Sequence, residues 1–171
     1  MKSKQAVHWN SLGAAAVLGA ILSIAWPTGL RGQAAKTQPQ PNPHDLSAQQ
    51  AVFSSHSKDF RALEEPLHGQ EWEVVEFLDN VATTAEDRLD AANTMLRMYD
   101  CIVSETDRAR VRPILKEQLA IYSWQMNHEA ERTTGSLAFT KVPAAAQIGL
   151  QMKDDLRTAK QKLDAIAESL D

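Results

Sequence analysis

Hydrophobic residues recur along the second half of the chain at intervals of three and four. Val75, Leu78, Ala82, Ala85, Leu89, Ala92, Leu96, Tyr99 and Val103 alternate these spacings without a break. This is the a/d pattern of a helix that buries one seam against neighbours, sustained over about four heptads. It predicts a long helix from about Trp72 to Ile102, with central alanines that let another helix come close.

Two further segments repeat the pattern. Ser104 stands where its hydroxyl can cap the amide of Asp107. Beyond it, Val111, Leu115, Leu119, Tyr122, Met126 and Ala130 form one stripe. Pro113 is too far in for a first-turn position, so a kink or a separate short turn is expected there, and Gly135 marks the expected end. The last segment is expected to start at Thr140 as N-cap with Pro143 in the first turn. Its stripe is Ile148, Met152, Leu156, Ala159, Leu163, Ile166 and Leu170. Three helices near 30 residues, each roughly 45 Å long, with short connections, predict an all-α antiparallel up-down-up bundle.

The pattern is weaker before this core. Leu46, Val52, Phe53, Phe60 and Leu63 are spaced as on a helix, but Ser54, Ser55 and Ser57 interrupt them. A shorter fourth helix is expected here, stopped by the "EEPLHG" stretch from Glu64 to Gly69. Residues 46–171 are thus assigned to the bundle domain. Residues 35–45, "AKTQPQPNPHD", alternate prolines with polar residues and are expected to form an extended linker.

The first 34 residues follow a different rule. Lys2 and Lys4 precede an apolar run from Leu12 to Trp26, and Pro27 and Gly29 end it. That order is a secretory signal peptide, with Gly32 and Ala34 as the small residues before a cut at Ala35. The same segment also reads as an N-terminal membrane anchor. No charge interrupts the chain from Gln5 to Leu30, and Trp9 and Trp26 bracket the run as interfacial aromatics do. Both readings keep the lysines in the cytoplasm and place the remainder outside, in the periplasm or on the outer face of the inner membrane. No cysteine directly follows the run to accept a lipid.

Composition narrows the function classes. The net charge is −4, yet the first acidic residue is Asp45, so removal of Lys2, Lys4 and Arg31 leaves about −7. An acidic domain without a basic stripe is a poor partner for nucleic acid, whose phosphates supply most of the binding affinity. Cys101 is the single cysteine, which excludes an intramolecular disulfide and a thiolate metal cluster. It is expected to be a small buried apolar side chain.

Candidate chemistry is sparse. A di-iron bundle needs two Glu-x-x-His motifs, and the sequence offers only Glu65 with His68, separated by Pro66 at a helix end. His44, His56 and His128 have no ligand-type neighbour at helical spacing beyond ordinary acids. No Gly-x-Ser-x-Gly elbow, phosphate loop or Cys-x-x-Cys-His occurs. Arg108, Arg110 and Arg112 form the one basic cluster, expected to pair with Asp107, Glu105 and acids of neighbouring helices. Met95, Met98, Met126 and Met152 are expected in the core.

No catalytic, cofactor-binding or metal residue is therefore assigned, and no enzyme activity is expected. The expected function is that of an exported helical bundle of the bacterial envelope acting through protein contacts, either with a partner or with itself. Membrane contact would come through the N-terminal segment if it is uncleaved. A periplasmic ligand-sensing or metal-binding bundle is the alternative.

Overall fold

The computed structural model describes residues 42–170. The signal or anchor segment and the linker as far as Pro41 lie outside them. Among the described residues the chain is all-helical, with four helices and no strand: α1 (Ser47–Glu64), α2 (Gln70–Asp100), α3 (Glu105–Leu137) and α4 (Pro143–Ser169). No helix among them is long and apolar enough to cross a membrane.

Bonds between the helices fix their directions. Gln50 donates to Asp90 and Ser57 to Asp79, so α1 and α2 run oppositely. Arg88 reaches Glu129 and Arg112 reaches the Tyr99 hydroxyl, which sets α3 against α2 in the same way. Ser123 donates to Asp164, and Gly149 near the start of α4 lies against Leu137 at the end of α3. Lys162 donates to Gln49, and His56 meets Asp155, closing α4 onto α1. The result is an up-down-up-down four-helix bundle with short connections.

The predicted seams supply the core. All eight α2 seam residues from Val75 to Tyr99 are buried, as are Leu115, Leu119, Met126 and Ala130 of α3 and Met152, Leu156, Ala159, Leu163 and Ile166 of α4. Phe53 and Phe60 of α1 and Leu46 just before it are fully buried, which makes α1 a full member of the core. Its start is held by a buried amide. Asn93 accepts from the Leu46 amide and donates to the Ser47 hydroxyl, while Asp45 receives both the Ser47 amide and its hydroxyl. The two bonds from Ser47 hold the Asp45 carboxyl below its ordinary range. The end of the expected linker also bonds to the bundle, since Asn42 and His44 both meet Asp100.

Several details depart from the sequence reading. Val103 is 98% exposed, because α2 stops at Asp100 and the chain leaves the heptad phase before reaching it. Cys101 is exposed as well, having left the buried seam at the turn two residues after Tyr99. Met98 is exposed on the outer side of α2, and Met95 is only half-buried. The cap of α4 is Val142, not Thr140, whose hydroxyl instead accepts from the Val142 amide; Pro143 opens the helix as expected. α3 continues through Gly135 to Leu137, for Gly69 is the only described glycine with a positive φ. It also runs unbroken past Pro113, which does not split off a separate turn. Pro113 and Ala109, whose carbonyl loses its amide partner, both lie on the solvent side, so water can replace that bond.

Candidate interaction surface

Several polar groups inside the bundle pair across helices, whereas Thr133 Oγ1 and Gln125 Oε1 are buried without a hydrogen-bond partner. Asp79 accepts from Ser57 at 2.5 Å and from Arg61 at 3.0 Å, joining α1 to α2. His56 meets Asp155 of α4 at 2.7 Å. Ser57 and His56 are adjacent in sequence, but about 100° separates successive residues on a helix, so they turn to different neighbours. Hydroxyl, imidazole and carboxylate are thus present without the serine–histidine bond that a nucleophilic relay requires. Glu129, buried between α2 and α3, is met by Arg88 at 3.4 Å and Arg132 at 3.1 Å. Among the described residues no group of three or more His, Cys, Asp or Glu side chains could hold a metal.

The basic cluster has a structural task. Arg108 donates to the carbonyls of Ile102 and Asp100, at the end of α2, where the helix dipole favours a cation. Arg112 bonds Tyr99 and Glu105, and Arg110 stands 3.9 Å from Asp107. Two of the three expected acid pairings are therefore present, and Arg108 binds backbone instead. Glu65 and His68 are exposed in the α1–α2 turn.

Two shallow grooves flank the bundle. One of about 190 Å³ runs between α1 and α4, beside Val52, Phe53 and Asp155, and one of about 240 Å³ lies between α2 and α3. Their charged groups are already engaged, Asp155 by His56 and Glu129 by the two arginines. The Arg132 guanidinium also lies over the Phe77 ring in the second groove, 4.8 Å from its centre.

The outer face of α3 is different. Ile114 is 53% exposed, Ile121 42% and Trp124 64%. With Glu117 and His128 they form a second three-and-four series, 114, 117, 121, 124, 128, set outward while Leu115, Leu119 and Met126 face the core. Exposed Pro113 and Ala120 extend it. His128 stacks flat on Trp124, with ring centres 5.3 Å apart and planes at 3°, so the two rings make one platform. Single exposed apolar residues are ordinary, whereas Ile114, Ile121 and Trp124 share one helical register and form a continuous patch. The sequence reading found only the inner stripe of α3; the outer series has the same 3–4 spacing, with 117, 121, 124 and 128 two positions beyond 115, 119, 122 and 126, but nothing in the sequence said which stripe faced solvent.

No family model, curated protein or solved structure matches this chain.

Proposed function

We propose that this protein is an exported, non-enzymatic helical bundle of the bacterial cell envelope that works through protein–protein contacts. The observation that carries the contact reading is the outward apolar seam of α3, on which Ile114, Ile121 and Trp124 project from a helix whose other side is already packed. The export reading is supported by the order of Lys2 and Lys4, the apolar run from Leu12 to Trp26, and the helix-breaking Pro27 and Gly29. The non-enzymatic reading is supported by the engagement of the buried carboxylates Asp79 and Glu129 with neighbouring side chains. A ligand-sensing bundle has less support, because the charged groups in both grooves already have protein partners.

Mass spectrometry of the mature N-terminus, taken separately from membrane and soluble fractions, tests the location. A chain beginning at Ala35 in the periplasmic fraction establishes cleavage, and an intact chain in the membrane fraction establishes the anchor. An intact chain confined to the cytosol overturns export. A photo-crosslinking amino acid placed at Trp124 is expected to yield adducts in cells, whereas one at the exposed Glu168 of α4 is not; equal yields would remove the α3 face from the function.

A further inference from the structure

The outer face of α3 carries a cation and an anion at symmetric positions on either side of its exposed apolar residues. Reading outward from a point between Ala120 and Ile121, Arg110 on one side corresponds to Glu131 on the other, Glu117 to Trp124, and Ile114 to Asn127 beside His128. We infer that two copies of this chain pair through α3 in an antiparallel, two-fold symmetric dimer. This deepens the contact-protein reading given above by naming its partner, and it rests on that reading's assignment of the α3 face.

The pairing follows from shape and charge together. With the axis between Ala120 and Ile121, the small Ala120 side chain of each copy faces Ile121 of the other where the two helices cross, which allows close approach. Ile114 of each copy then meets the Trp124–His128 platform of the other. Arg110 is 78% exposed and holds Asp107 only at 3.9 Å, so its guanidinium can reach Glu131 of the second copy. Symmetry makes this pair occur twice, as an isologous interface requires. A parallel arrangement instead sets Arg110 against Arg110, Glu117 against Glu117 and Glu131 against Glu131, three like-charge contacts that oppose association. A lipid surface fits less well, because acidic Glu117 and Glu131 stand in the same stripe as the apolar residues.

The full chain in mild detergent should sediment as a dimer at micromolar concentration. Ile121→Glu should raise the dissociation constant by roughly a hundredfold while leaving the helical circular dichroism and the melting temperature nearly unchanged, since the position is on the surface. Arg110→Glu and Glu131→Arg should each weaken the dimer by about tenfold, and the double variant should recover most of the loss. In a Cys101→Ser background, Ala120→Cys should form a disulfide-linked dimer on mild oxidation. Arg110→Cys should not do so alone but should when combined with Glu131→Cys.

A monomer throughout this concentration range overturns the proposal, as does a dimer indifferent to Ile121→Glu, or efficient crosslinking by Arg110→Cys alone. A monomer that still crosslinks another envelope protein through Trp124 would refute self-pairing and leave the contact function standing. A dimer found in an unprocessed cytosolic chain would do the reverse for export.

Discussion

Gly69 and Gly135 show how differently one residue type can matter. Gly69 caps α2 at φ 63° and ψ −137°, a backbone region that side chains with a Cβ avoid. Gly135 is ordinary helix with nothing within 4 Å of an added Cβ. Gly69→Ala should therefore cost about 1–3 kcal/mol, and Gly135→Ala should stabilise by roughly 0.5 kcal/mol, both read from urea unfolding. Glu64 offers a test of opposite character. Burial, followed by the negative charges of Asp79 and Glu76, raises its carboxyl pKa, and its Oε1 is buried without a hydrogen-bond partner. A carboxyl raised in the folded state favours folding most below its unfolded pKa and loses that contribution as pH rises through the folded value. Glu64→Gln should accordingly raise the urea midpoint near neutral pH, and the gain should shrink as the pH falls and the native carboxyl takes up its proton. A constant gain across that range would place the cause in packing.

At the level of the helix, the polar clusters decide which neighbours pair. Glu129 is held by one arginine from α2 and one from its own helix, and its side chain is only 8% exposed. Glu129→Ala leaves Arg88 facing a largely buried space, so a loss of about 1–3 kcal/mol is expected by chemical denaturation. A loss below ~0.5 kcal/mol would mean that the pair only decorates the surface. Asp164 behaves oppositely to Glu64. Burial pushes its carboxyl upward, but bonds from Lys160 and Ser123 outweigh this and hold it below its ordinary value. Its contribution is present above the unfolded carboxyl range and is lost as pH falls through the folded value, so Asp164→Asn should destabilise at neutral pH and not in acid. α1 was the element least legible in the sequence, because serines stand among its apolar residues. Ser57 faces the bundle as well, but it donates to Asp79 there, so its polarity is satisfied inside the fold.

For the whole molecule, α1 converts a three-helix arrangement into a closed four-helix bundle. Phe53 and Phe60 are fully buried, and truncating either to alanine should cost about 3–5 kcal/mol in urea unfolding. A loss under about 0.5 kcal/mol would make α1 an appendage on a self-sufficient three-helix core. The two faces of α3 divide the roles of that helix. Its inner stripe joins the core, and its outer stripe supplies the surface on which the proposed contact function depends. The long-range pairs His44–Asp100 and His56–Asp155 were beyond any reading by spacing, since 56 and 99 residues separate their partners.

By itself the sequence determined the helical class, the three long elements and nearly all of their buried seams, because a 3–4 alternation of apolar residues has one low-energy way to leave water. The Ser104 cap and the Pro143 start were local matters and were equally legible. Only the tertiary structure decided that the chain leaves its heptad before Val103, that Cys101 and Met98 face solvent, and that α1 closes the bundle. It alone separated the two apolar stripes of α3. Periodicity says that a face is apolar, and only the position of the neighbouring helices says whether anything covers it.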